Sequence, residues 1–162
     1  EKIGKQLINK INFKWIIIGR NVTNLNNNKF ISKHRDNFKL VEEIKNNEFF
    51  FPNSKLIKYY KSSTIYLHLS RIESFGITIL EALSSELPII SFMSTGSKTL
   101  IKNGVNGYLV KCFDTKEYAK TIFKIYKSKN KLIKSKLKDL KKYDLIFNTN
   151  KSINDYKYLI KN

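Results

Sequence analysis

Three short apolar runs limit what this chain can fold into: WIIIG at 15–19, TIYLHLS at 64–70 and IISF at 89–92. Each is shorter than an ordinary helix, and each is bounded by glycine, proline or polar residues, as strands are. TIYLHLS is apolar almost without interruption. That suits a parallel strand covered on both faces better than the alternating edge of an antiparallel sheet.

The segments between the runs carry mostly helical signals. IGKQLINKI has helical spacing and leads into WIIIG, a buried strand. RNVTNLNNNKFISKHR is polar and asparagine-rich, and reads as a long loop. DNFKLVEEIKNN reads as an amphipathic helix, EFFF as a strand stopped by Pro52, and NSKLIKYYKSS as a helix capped by Asn53 or Ser54. After TIYLHLS come a loop over 70–75 and a helix from about Ile77 to Glu86. Pro88 marks the entry to IISF. A glycine-containing loop, a helical turn at KTLI, the turn NGVNG and the strand YLV follow. Beyond Asp114, Tyr118, Ile122, Phe123, Ile125 and Tyr126 recur at helical spacing, and helical segments from about residue 115 run to the C-terminus.

Strand and helix alternating over short connections predict an α/β fold of three layers, an open parallel sheet with helices on both faces. With 162 residues and 41% hydrophobic composition, the chain is expected to form one domain over 1–162. In such a sheet, ligands bind at the carboxyl ends of the strands.

Composition narrows the chemistry. The formal net charge is +18, and lysine supplies 28 of the 31 basic residues. Arginine, which reads base edges and phosphates with a fixed fork, occurs only at Arg20, Arg35 and Arg71, so nucleic acid is disfavoured as a partner. A solvated lysine surface, or one that meets an anionic membrane, remains open. Cys112 is the single cysteine, and His34 and His68 stand apart from it. No metal site and no disulfide is expected, and the compartment reads as cytoplasmic. No run approaches about 18 uninterrupted apolar residues, so membrane association would be peripheral.

The most informative stretch is LSRIESFGITILEALSSELPII, residues 69–90. It places Glu73 and Glu81 eight positions apart, on either side of Phe75 and Gly76. A helix starting near Gly76 leaves the amides of Gly76, Ile77 and Thr78 without intrahelical acceptors and directs them to the strand ends, where a phosphate or diphosphate can sit. The Thr78 hydroxyl adds a further donor. Glu81 lies roughly 6 Å along the helix axis from Ile77. There its carboxylate can accept from two neighbouring hydroxyls, as a ribose presents. Glu73, before the helix, can do the same for a second polyol. Spacing alone equally allows a solvated Glu73, an exposed helical Glu81 and a Phe75 that merely plugs the core.

Glu73, seven residues, Glu81, with Ser74-Phe75-Gly76 inside and Ala82, Pro88, Ile89 and Ile90 following, resembles the donor-binding signature of the retaining glycosyltransferases of family four. WIIIGR, YYKSSTIYLHLSRIESFG and IKNGVNGYLV are similar to the segments that surround this signature, so the resemblance covers nearly the whole chain. It implies the C-terminal half of a GT-B fold, in which two Rossmann-like domains face each other across a cleft. The acceptor domain would lie upstream of Glu1.

Carried over by position, the resemblance implies that Glu73 orients the donor sugar at the catalytic centre. Phe75 and Gly76 would offer amides, Ile77 and Thr78 would contact diphosphate and ribose, and Glu81 would accept from the ribose. The base would lie near Phe51 to Asn53. Arg20, Arg71 and Lys98 are candidates for anion contacts. The implied donor is a UDP-, GDP- or ADP-sugar with no other cofactor, and the implied acceptor is a saccharide or a lipid-linked one. One departure stands out. Where the family often has glycine, glycine, any residue, proline, glutamate, this chain has Thr95, Gly96, Ser97, Lys98, Thr99.

Overall fold

Parallel pairing puts apolar side chains on both faces of a strand, and the four residues Ile89–Phe92 show how this chain uses them. The computed structural model describes residues 1–44 and 54–128. In it Ile89–Phe92 forms β4, the middle strand of a parallel trio. Its neighbours are β3 (Tyr66–His68) and β5 (Gly107–Val110). All four β4 residues are buried. Successive side chains point to opposite faces. Ile90 and Phe92 join one core, with Ile3 and Leu7 of helix α1 (Lys2–Leu7) and Tyr118, Ile122 and Ile125 of helix α6 (Thr115–Lys127). Ile89 joins the other, with Tyr60 of α3 (Ser54–Ser62), Ile79 and Ala82 of α4 (Ile77–Ser84), and Leu100 of α5 (Thr95–Leu100). Each fully buried isoleucine contributes about 1.5–3 kcal/mol. The expected three layers are there, with α1 and α6 on one face and α3, α4 and α5 on the other.

A second parallel pair lies N-terminal to the trio. Strand β1 (Trp15–Gly19) runs beside β2 (Phe38–Glu42), in register from Trp15 with Phe38 to Gly19 with Glu42. WIIIG is thus a strand as expected, but half-buried along its length. Trp15 of β1 and Leu67 of β3 pack on the core beneath α1 and α6.

Strand β2 corrects the sequence reading, which expected DNFKLVEEIKNN to be an amphipathic helix. A 3-10 turn over Arg35–Asn37 leads directly into the strand. The long-range partners decide it. The Phe38 ring stacks on Trp15 with centroids 6.0 Å apart and meets the edges of Phe13 and Phe30 at 6.1 and 5.9 Å. Tertiary pairing overrides a pattern that fits either period.

The preceding stretch, expected as loop, holds a 3-10 segment over Val22–Asn27 and a short helix α2 (Lys29–Lys33). Asn28 caps α2, its Oδ1 accepting from the amides of Phe30 and Ile31 at 3.0 and 3.2 Å. The glycine loop after IISF is also helical from Thr95, earlier than the KTLI turn expected. Ser94 and Ser97 form a reciprocal capping box. Ser94 Oγ accepts from the Ser97 amide at 3.2 Å, and Ser97 Oγ from the Ser94 amide at 2.8 Å. Asp114 caps α6 by accepting from the Glu117 amide at 2.8 Å. The expected strand EFFF, the cap at Asn53 and the helices beyond residue 128 lie outside the described residues.

Candidate functional site

The carboxyl ends of β3 and β4 open onto the loop that carries Glu73. That loop is set by backbone contact with α5. The Gly96 amide donates to the Glu73 carbonyl at 2.7 Å. A Cβ on Gly96 would stand 2.9 Å from Glu73 O, Phe75 N and Ser74 C, so a residue without a side chain is required there. Gly76 follows at φ +88 as the N-cap of α4. A Cβ on Gly76 would meet Leu100 Cδ1 at 3.0 Å and Ile79 Cδ1 at 3.1 Å. Both backbone sign and core packing demand glycine at the turn.

The Glu73 side chain folds back onto the helix start. Its Oε1 accepts from the Gly76 amide at 2.9 Å and from the Phe75 amide at 3.3 Å. Its Oε2 lies 3.6 Å from Nε2 of His68, the last residue of β3. His68 is 6% exposed. Burial pushes its imidazole below the usual range, and the Glu73 charge works against that.

Glu81 sits one turn inside α4 and is 5% exposed, so the exposed helical position that spacing allowed does not hold. Its Oε2 accepts from the Tyr60 hydroxyl at 2.8 Å. Its Oε1 has no hydrogen-bond partner, and among the described residues His68 Nε2 is the other buried side-chain polar atom in that position. Burial raises the Glu81 carboxyl above the ordinary carboxylate range, with the Tyr60 hydrogen bond acting in the opposite direction. Burial likewise raises the Tyr60 and Tyr66 phenols, so both stay protonated; for Tyr66 a hydrogen bond with Thr78 opposes the shift.

The first turn of α4 is open to solvent. Ile77 is 52% exposed, Phe75 54%, and Thr78 is exposed beside them, so Phe75 is not the core plug that spacing alone allowed. The basic candidates are spread around the strand ends. Arg71 stacks over the Phe113 ring with its guanidinium carbon 5.2 Å from the centroid, and Phe113 itself holds φ +70. Lys98 is exposed on α5. Arg20 follows β1 and donates to both oxygens of Glu43, at 3.1 and 3.4 Å. The neighbouring Glu42 accepts from Asn21 N, Thr23 N and Thr23 Oγ1, which hold its carboxyl below the usual range and fix the turn after β1. Phe51 to Asn53 lie outside the described residues. Among those described, no group of three or more His, Cys, Asp or Glu is placed to hold a metal.

Sequence reasoning placed Glu73 and Glu81 on opposite sides of one helix start but missed their partners. Tyr60 is 21 positions from Glu81 on another helix, and its spacing in α3 reads only as packing. His68 reads as core because it is core; its ring edge toward Glu73 has no sequence signal.

Comparison with known proteins gives this geometry a context. The chain is 41% identical over 59 residues to the GtfA subunit of the UDP-N-acetylglucosamine–peptide N-acetylglucosaminyltransferase of Streptococcus pneumoniae, which takes in 36% of this chain and 12% of that protein. It is 28% identical over 74 residues to the D-inositol 3-phosphate glycosyltransferase of Thermobifida fusca, 46% of this chain and 17% of that one. Among solved structures, a glycosyltransferase from Rickettsia africae superposes with a TM-score of 0.77 at 20% identity, over 99% of this chain and 44% of that chain. Anabaena HepE in complex with UDP and glucose superposes at 0.74 and 16% identity, over 97% and 44%. These two likenesses concern the fold, and the chain spans less than half the length of each of these four proteins. The sequence profile described as glycosyl transferases group 1 matches residues 2–144, and the chain belongs to that family.

Proposed function

We propose that this chain is the donor-binding, C-terminal half of a retaining glycosyltransferase. It binds a nucleoside diphosphate sugar and helps transfer a hexosyl unit to an acceptor hydroxyl. The observation that carries this reading is the Glu73 carboxylate seated on the Phe75 and Gly76 amides. The helix start is an anion receptor, and the chain's own acid uses it.

In the proposed complex the diphosphate and sugar oxygens take those amides. Thr78 and Ile77 line the diphosphate and ribose at the exposed first turn. Glu81 turns its buried Oε1 toward the ribose hydroxyls while Tyr60 keeps Oε2. Glu73 orients the sugar and is not the nucleophile. The chemical step depends on stabilising negative charge as the nucleoside diphosphate leaves, through helix-end amides and basic side chains. Arg71, Lys98 and Arg20 are the cationic candidates here. The acceptor, a saccharide or a lipid-linked one, is bound by the other half of the cleft, and the lysine-rich surface favours an anionic membrane beside it. The relatives support the substrate class: the pneumococcal protein is named for UDP-N-acetylglucosamine, and HepE was solved with UDP and glucose.

Thermal unfolding with UDP-, GDP- and ADP-sugars tests this. A ligand at ten times its Kd stabilises by about 1.4 kcal/mol, which raises Tm by a few degrees. We expect one base to give that rise and Glu81→Ala to abolish it. A rise that survives Glu81→Ala but disappears in high salt would instead assign the binding to the lysine surface.

A further inference from the structure

His68 Nε2 and Glu81 Oε1 are the two buried side-chain polar atoms without a hydrogen-bond partner among the described residues, and the proposed donor complex accounts only for Glu81. His68 needs its own explanation. Its Nε2 stands 3.6 Å from Glu73 Oε2, just outside hydrogen-bond distance, while Glu73 Oε1 is held by the amides of Gly76 and Phe75. The carboxylate is therefore divided between the helix start on one side and the imidazole edge on the other.

This arrangement sets up an exchange, and the argument rests on the donor reading given above. A donor that takes the two amides removes both hydrogen bonds from Glu73 Oε1. The Glu73 side chain is 24% exposed, so water compensates only in part. A movement of roughly 0.7 Å brings Oε2 to an ordinary N–H···O distance from His68 Nε2.

We propose that His68 is a positioning residue: its Nε2 receives the Glu73 carboxylate when the donor displaces it from the α4 amides, and holds it facing the sugar. The surroundings of the ring fit that task. Tyr66 lies 6.1 Å away, centroid to centroid, on the same strand. Tyr118 of α6 donates to the His68 carbonyl at 3.4 Å and to the Ile90 carbonyl at 2.5 Å. Burial raises both phenols, so they stay neutral, and the charge that acts on the imidazole is Glu73. Burial keeps the ring neutral near pH 7, where a proton on Nε2 suffices for donation. A bound diphosphate adds negative charge nearby and raises the proton affinity of the ring. Binding then takes up protons at His68, which favours affinity as the pH falls from about 7.5 towards about 5.5, while the Glu81 carboxyl, raised by burial, works in the opposite direction as it loses acceptor strength toward the ribose.

The test is calorimetric titration of the full chain with UDP-glucose, GDP-mannose and ADP-glucose, and with UDP, GDP and ADP alone, across that pH range. Wild type, His68→Gln and His68→Leu are compared. Gln keeps an N–H near the Nε2 position without titrating. For the sugar nucleotide that binds, His68→Leu is expected to weaken affinity about 10-fold, the scale of one hydrogen bond to a charged group. His68→Gln should stay within about 3-fold of wild type at neutral pH, and both variants should lose the part of the pH slope that favours binding at low pH, leaving the opposing part due to Glu81. The bare nucleoside diphosphate, with no sugar to orient, should show a smaller loss. If the variants bind the sugar nucleotide with wild-type affinity and slope, the role of His68 is refuted while the donor site stands. If Gln loses as much affinity as Leu and both melt earlier, His68 is structural and the proposal is overturned. If none of the six ligands binds wild type, the donor reading and this proposal fall together.

Discussion

Replacing Tyr60 by Phe removes one oxygen from a buried pair and leaves the packing almost unchanged. The Tyr60 hydroxyl is the hydrogen-bond donor to Glu81, at 2.8 Å, and Glu81 Oε1 already lacks one. Tyr60 is 7% exposed and Glu81 5%, so water does not readily replace the lost bond. A hydrogen bond to a charged group contributes about 1.5–3 kcal/mol, and that is the expected loss of stability at pH 7.5.

The pH dependence follows from the carboxyl itself. Burial raises the folded pKa of Glu81 above its unfolded value, so its favourable contribution is complete below the unfolded pKa and declines as pH rises through the folded one. Tyr60 is the influence that lowers the folded value. Without it the folded pKa rises further, and stability falls more steeply between about pH 4.5 and pH 7.5. As the pH falls from about 7.5 to about 4.5 the buried carboxyl takes up its proton ahead of the unfolded chain's, and the cost of Tyr60→Phe should shrink toward about 1 kcal/mol, the scale of a neutral hydrogen bond. Urea unfolding at the two pH values, followed by far-UV circular dichroism, measures both numbers. Adding Glu81→Gln closes a double-mutant cycle that isolates the pair. A cost below about 0.5 kcal/mol at pH 7.5, or one that is the same at both pH values, would refute the reasoning.

Two further substitutions probe the frame of the site. Gly96→Ala should cost about 1–3 kcal/mol by forcing α5 off the backbone of the Glu73 loop, and should weaken the nucleotide-sugar Tm shift as well as the basal Tm. Ser94→Ala removes half of the capping box of α5 and should cost about 1 kcal/mol in a urea titration, with a much smaller effect on the ligand-induced shift.

The parts of the fold that were legible in the sequence are those fixed by near neighbours. TIYLHLS and IISF are strands because continuous apolar residues bounded by turn residues leave little else, and Asp114 signals the start of α6 three residues before the amide it caps. The start of α4 was legible because Phe75-Gly76 precedes an apolar periodic run. What was not legible depends on partners far along the chain. FKLV becomes a strand because Phe38 stacks on Trp15, 23 positions earlier. Asparagine suggests a loop, yet Asn28 starts a helix. In the candidate site, the acids were found by spacing, while their environment was not: no local pattern tells that Glu81 is buried against Tyr60 or that His68 faces Glu73.

The contact between α5 and the Glu73 loop is made backbone to backbone, across Gly96. Beside it the Thr99 hydroxyl donates to the Gly96 carbonyl at 2.7 Å, and the Leu100 side chain packs against the turn at Gly76. Lys98 and Thr99, which replace the proline and glutamate common in similar enzymes, are both exposed. Position 98 can thus vary in charge and reach while the acid behind it keeps its place, which on the proposed donor reading makes it, rather than the Gly96-bound Thr99, the position for redesigning donor preference without rebuilding the scaffold.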